Sequence, residues 1–407
     1  CGRSPWAVCL GFGAKRSLMD KPLKIMLVAA EASGDVLGAN LAKALKARLG
    51  DGVTFVGVGG PRMAELGIRS PFDIAELSIL GIVEGIKAYS RVKQRVRDTA
   101  ALAAQQKPDA VVLIDSWGFT IRVAKAIRKA SPQTPLIKYV GPQVWASRPG
   151  RAKTLASAVD HLLALYPMDA PWFERAGLST TVVGSSALHI DMAAADGNIF
   201  KEQRGINKDA PLLLVLPGSR PKEIERMTPV YEQTVRNLKA EMPDLQVAVV
   251  AAGTVADDVS GRVASWPFRA HIVTEDDKYA AMKAADVALA TSGTVSSEIA
   301  MAGTPMVIAY KIDNLSYRLM KPLVTAKYFT MLNLAADQEV AGEFIQFDAT
   351  AEKITPEVLR LLKDPNAAKA QSDRQTQVLE LMGRGGPNPS ELAADAVLNV
   401  LEQRRRT

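Results

Sequence analysis

The sequence predicts an α/β chain folded as two Rossmann-like, doubly wound domains facing across a cleft. Three observations lead there. Short apolar runs alternate with helix-like segments along most of the chain. A polar stretch at 191–211 divides those runs into two series. At 407 residues the chain is too long for one ordinary core, given roughly 150 residues per domain.

The first series opens with LKIMLVAA at 23–30, which ends in Glu31 and gives way to a helical pattern through Arg48. The same alternation recurs at 54–59, 110–115, 135–140, 161–166 and 181–184. Strands buried on both faces read as short continuous apolar runs, and helices between them argue for a parallel sheet. The second series comprises runs at 212–217, 246–252, 271–274, 286–290 and 306–310. The tail from Thr355 to Arg405 reads as two or three helices broken at Pro365 and at 383–387. We expect residues 1–20 to be a disordered extension, 21–195 the first domain, and 205–407 the second domain with the C-terminal helices.

With 48% hydrophobic and 23% charged residues, the composition is globular rather than disordered or fibrous. The net charge of +7 suits anionic partners, but the basic residues are dispersed and no nucleic-acid module is visible. Cys1 and Cys9 support neither a disulfide framework nor a thiolate metal site, which fits a reducing, cytoplasmic setting. His161, His189 and His271 have no metal-site spacing. No run of 18 apolar residues exists, so no membrane span is expected. The apolar segment Ile79 to Ile86, followed by Lys87, Arg91, Lys93, Arg95 and Arg97, reads either as a peripheral membrane contact or as a core helix with a solvated basic end.

In doubly wound sheets, ligands bind at the carboxyl ends of strands, so the loops after these runs hold the candidates. After the first run, Ser33 and Gly34 can open a helix toward an anion while Glu31 and Asp35 bind hydroxyls; a plain capping turn is the alternative. Asp115 closes the run at 110–115, where a general base facing the cleft, or a helix N-cap, would sit. The loop from Tyr139 to Trp145, with Arg148 and Arg151, reads as an acceptor wall or a cap on the sheet. In the second series, Arg220 offers a planar fork to a phosphate. Ser292, Gly293 and Thr294 open a helix as a diphosphate cradle would, and Glu298, one turn on, can bridge ribose hydroxyls. The dinucleotide fingerprint and the P-loop are both absent. Asp276 and Asp277 lie at a helix start rather than in a metal loop, so transfer without a metal ion or other cofactor is expected.

These stretches resemble the lipid-A-disaccharide synthase family from Ile25 to the C-terminus. The resemblance is carried by AEASGDVLGA at 30–39, GGPRM at 59–63, LSILGIVE at 77–84, YVGPQVWA at 139–146, LPGSR at 216–220, TSGTVSSE at 291–298 and YFTMLNLAADQEVAGEFIQ at 328–346. It implies a glycosyltransferase-B fold, with acceptor in the first domain and UDP-sugar in the second. The implied reaction joins UDP-2,3-diacylglucosamine to 2,3-diacylglucosamine 1-phosphate (lipid X), with inversion, giving a β-1,6 disaccharide and UDP. By the same resemblance Asp115 matches the candidate base, Arg220 and Glu298 match donor-site residues, Asn333 matches an Asn near the diphosphate, and Ser33 matches a functional Ser. A lipid acceptor would suit a peripheral contact with the inner membrane, and a homodimer is one option for the assembly. Another UDP-sugar enzyme of the same fold, or a homologue that binds without catalysis, are the alternatives.

Overall fold

The structure is a computed structural model that describes residues 21–77, 85–291 and 295–406. The expected extension and the segment Ile79 to Ile86, apart from the backbone of 85–86, lie outside the described residues, as do Ser292, Gly293 and Thr294. The chain divides into two compact units, one of residues up to Ser186 together with Gly386–Thr407, the other of Ala187–Gly385.

In the first unit, strands β1 (Leu23–Ala29), β2 (Val53–Val58), β3 (Ala110–Ile114), β4 (Leu136–Tyr139), β5 (His161–Ala164) and β6 (Ser179–Val182) form a parallel sheet in the order β2-β1-β3-β4-β5-β6. Side chains alternate across a strand. Ile25, Leu27 and Ala29 therefore join one buried cluster while Met26 and Val28 join another on the opposite face. Both faces being covered, the strand reads as an unbroken apolar run. The run expected at 181–184 forms two residues earlier.

The second unit holds β7 (Leu212–Leu216), β8 (Gln246–Val250), β9 (His271–Val273), β10 (Val287–Thr291), β11 (Met306–Tyr310) and β12 (Gly342–Ile345), also parallel, in the order β12-β11-β10-β7-β8-β9. From β7 the sheet grows outward in both directions, which is the doubly wound order. Strand β12 escaped the sequence reading. It lies at the sheet edge, opens with a glycine, and only its first residue is buried, so it has no continuous apolar run.

Two expectations about domain limits are corrected. The first domain, expected to run to residue 195, ends at Ser186, and the polar stretch at 191–211 belongs to the second unit: Asp196 caps the helix Gly197–Gln203 through the amides of Asn198 and Ile199, and Lys283 Nζ donates to the carbonyls of Met192 and Ala195 at 2.6 and 2.9 Å. The last helix, Pro389–Arg406, belongs to the first unit rather than the second. Ala393, Val397 and Leu401 are buried with Leu41 and Leu45 of the helix Ala32–Leu49, each large side chain contributing about 1.5–3 kcal/mol when fully buried. Arg48 grips Asp395 with two hydrogen bonds of 2.5 and 3.0 Å, and Arg404 reaches Asp160 at 2.6 Å. Helical periodicity reports an apolar face but not which sheet covers it.

Candidate functional site

Each sheet has one point where successive connections leave in opposite directions, and there the loops at the strand carboxyl ends part to form a crevice. In the first unit this point lies between β1 and β3. A Cβ on Gly34 would stand 3.3 Å from Ala29 Cβ and 3.6 Å from the Ile114 carbonyl. A larger residue would be tight there, and Ala29 would have to give by a few tenths of an ångström. Glu31 and Ser33 are exposed there. Asp35 is not: it is 2% exposed, and its carboxylate accepts from the backbone amides of Gly60, Arg62 and Met63 at 2.8–3.0 Å. The expected hydroxyl-binding role of Asp35 is thus corrected, because both of its oxygens are committed to holding the loop after β2.

Asp115 and Ser116 have φ of 47° and 39°, two consecutive left-handed residues that are not glycine. Such conformations are costly and collect at functional sites. They turn β3 sharply into the helix Trp117–Ala130. The N-cap is Ser116, and among the described residues the Asp115 carboxylate caps no amide, so the capping alternative does not describe it. The turn is braced from below. Lys138, on the same face of β4 as Leu136, is 2% exposed and donates to the Asp115 carbonyl and, at 2.8 Å, to Thr120 Oγ1. Thr120 Oγ1 in turn donates to the same carbonyl at 2.7 Å. Burial lowers the Lys138 ammonium to about 7, against the pull of the Asp115 and Glu31 carboxylates. Both carboxylates are thus near enough to act on the buried amine. Sequence reasoning passed over Lys138, although a lone lysine inside the apolar run PLIKYV was a signal.

In the second unit the corresponding point lies between β7 and β10, and a cavity of 170 Å³ opens there, lined by Gly218, Ser219, Glu223, Lys278, Thr291 and Glu298 among others. Gly218 has φ 119°, and a Cβ on it would meet Glu223 at 2.7 Å. Glu223 reaches back to the Ser219 amide at 3.1 Å and to Arg220 Nη1 at 3.1 Å. Arg220 itself caps the helix Pro221–Glu241 from the rim, with its side chain 78% exposed. Lys278 Nζ lies 2.6 Å from Glu275 and 3.0 Å from Glu298. Burial opposes its charge, but these acids outweigh that and raise its pKa. The Glu298 contact is an ion pair without hydrogen-bond alignment. Tyr231 OH supports the floor through Thr291 Oγ1 at 3.0 Å.

Asn333, expected beside the diphosphate, is 0% exposed and is not among the cavity-lining residues. Its Oδ1 accepts from the amides of Val340 and Ala341 at 2.7 and 3.0 Å, and its Nδ2 donates to the Ala341 carbonyl at 2.8 Å. The expected contact is corrected: Asn333 ties down the chain leading into β12.

The arrangement offers two functions at strand ends, a pocket of mixed charge suited to a polar anion and a strained turn presenting a carboxylate. The lipid-A-disaccharide synthetase family matches residues 25–397. The chain belongs to the lipid-A-disaccharide synthase family. Membership makes it a glycosyltransferase of lipid A synthesis. It is 42% identical over 385 residues to the lipid-A-disaccharide synthase of Rhodospirillum centenum, covering 94% of this chain and 96% of that one. With the lipid-A-disaccharide synthase of Paramagnetospirillum magneticum it shares 40% over 381 residues, 93% of this chain and 98% of the relative. Among solved structures, the kitacinnamycin glycotransferase superposes with a TM-score of 0.59 at 17% identity, covering 93% of this chain and 99% of that one. The lipid-A-disaccharide synthase fold seen here is thus of the glycosyltransferase-B class. Lys278 and Glu223 were absent from the sequence reading of this member. Their partners Glu298 and Arg220 were the signal, since each is a charged residue at a strand end that an opposite charge can meet.

Proposed function

We propose that the chain transfers 2,3-diacylglucosamine from its UDP donor to 2,3-diacylglucosamine 1-phosphate, with inversion, releasing UDP and the β-1,6 disaccharide 1-phosphate. The single observation that carries the reading is the 170 Å³ cavity at the β7/β10 strand ends, in a chain whose family is fixed over residues 25–397.

In this scheme the second unit holds UDP. The diphosphate takes the place of carboxylates that now satisfy Arg220 and Lys278, while Ser292, Gly293 and Thr294 supply amides and hydroxyls. Glu298 turns to the ribose. In the first unit, Asp115 accepts the proton from the acceptor's 6-hydroxyl as that oxygen forms its bond to the anomeric carbon. The carbon–oxygen bond to UDP breaks and its electron pair leaves with the diphosphate, where the cations stabilise it. Glu31, Ser33 and Gly34 line the approach of the acceptor. No step in the scheme calls for a metal ion.

Among the described residues no helix is long and apolar enough to cross a membrane, and acylated substrates reside in lipid. The reading also includes a cytoplasmic chain at the inner-membrane surface, where such substrates lie, and takes a homodimer as its expected assembly. The test is UDP release measured with acylated and non-acylated acceptors. Release that requires the acylated sugar 1-phosphate supports the reading, and equal release with a lipid-free acceptor contradicts it.

A further inference from the structure

The scheme above leaves two arginines unused. Arg148 and Arg151 stand in the turn after β4, closed by a hydrogen bond of 3.0 Å from the Arg151 amide to the Arg148 carbonyl. Arg148 is itself a left-handed residue, with φ 53°. The Arg151 guanidinium lies 5.3 Å from the centre of the Trp117 ring, two residues beyond Asp115. The loop leading to this turn is pinned by Trp145, whose Nε1 donates to Asp169 Oδ1 at 2.7 Å. That carboxyl is buried and pushed up to about 6, against the hydrogen bond from Trp145.

Among the described residues neither Arg148 nor Arg151 makes an ion pair with a carboxylate. The two cations instead oppose each other: burial, then the charge of Arg148, lowers the Arg151 guanidinium below its usual value. Two neighbouring guanidiniums that no carboxylate meets leave their charge available to an anion. Guanidinium forks fit the oxygens of a phosphate in pairs, and a flat aromatic surface fixes the plane of one fork. The position is the carboxyl end of β4, beside β3, where ligands of doubly wound sheets bind.

We propose that Arg148 and Arg151, on the Trp117 platform, form a phosphomonoester subsite that reads the phosphate of the acceptor sugar. This rests on the reading that the acceptor is a sugar 1-phosphate. The subsite makes the phosphate a criterion of acceptor choice, separate from the acyl chains and from the donor's diphosphate.

The experiment compares kcat/KM for the phosphorylated acceptor with that for the same diacylglucosamine lacking the phosphate, in the parent and in the Arg148→Ala, Arg151→Ala double variant. The parent is expected to favour the phosphorylated acceptor. In the double variant that preference falls by about tenfold or more, as loss of a charge-assisted pair requires, through a raised acceptor KM. The variants Arg148→Lys and Arg151→Lys, keeping charge without the fork, are expected to fall between. Measurable turnover of the dephosphorylated acceptor shows that each variant is folded. An unchanged preference in the double variant overturns the inference while leaving the overall reaction standing. If the parent uses neither acceptor, the reading of the reaction fails and the inference with it.

Discussion

The two units place their working loops at equivalent points of two doubly wound sheets, yet they fill those points differently. At the end of β7, Arg220 and Lys278 are already met by Glu223, Glu275 and Glu298, and the cavity beside them is open. At the end of β3, the buried amine Lys138 hydrogen-bonds, among the described residues, only a carbonyl and a hydroxyl, and it holds a strained turn rather than lining a pocket. On the proposed reading, the contrast teaches how the same topology can serve binding in one unit and chemistry in the other. The Arg220–Glu223 pair joins an exposed guanidinium to a buried carboxylate that also accepts from the Ser219 amide, so on the proposed reading Arg220 turns to an incoming diphosphate while Glu223 stays in place. A buried amine bonded to backbone has no such freedom and fixes the geometry of its neighbour.

The sharpest way to break this contrast is Asp115→Asn. Asparagine keeps the shape and cannot take the proton, so turnover is expected to fall by roughly 10²–10⁴ with UDP affinity unchanged. Next comes Arg220→Ala, expected to weaken UDP binding in calorimetry by about 10- to 100-fold, the loss of one charge-assisted phosphate contact. Asn333→Ala is expected to leave the amides of Val340 and Ala341 unpaired and to cost about 1–3 kcal/mol in denaturant unfolding, with UDP affinity of the folded protein retained. A loss of affinity without loss of stability would place Asn333 in the donor site instead.

The smallest effect is one of pH. Burial depresses Lys138 from the ordinary 10.5 to about 7, so between those values the unfolded chain holds a proton that the native state lacks. Stability therefore rises with pH across that window, the penalty being complete below 7 and gone above 10.5. Relative to Lys138→Met, which has no such proton, the parent should gain melting temperature between pH 7 and pH 9. A constant difference would show that Lys138 stays charged in the native state.

Much of this was legible in the sequence. Buried parallel strands announce themselves as apolar runs, and eleven such runs appear as strands, whereas β12, at an edge and half-buried, has no run to read. The positions of Asp115, Arg220 and Glu298 beyond strand ends were legible because they follow those runs. Asp35 and Asn333 were misread for one physical reason. A carboxylate or amide that ties backbone looks identical in sequence to one that waits for a ligand, and the amides that Asp35 holds lie 25 to 28 residues away. Lys138 went unread because its partner is a carbonyl, which carries no sequence signature.

The central claim is that donor binding and proton removal are separate duties of separate units, and one paired measurement tests it directly. UDP affinity by calorimetry and the single-turnover rate at saturating donor are taken together for Asp115→Asn and Arg220→Ala. The account predicts a crossed result, with Asp115→Asn binding UDP like the parent but reacting at least a hundredfold slower, and Arg220→Ala binding UDP more weakly. Near-normal turnover in Asp115→Asn, or a parallel loss of UDP affinity in both variants, would contradict it.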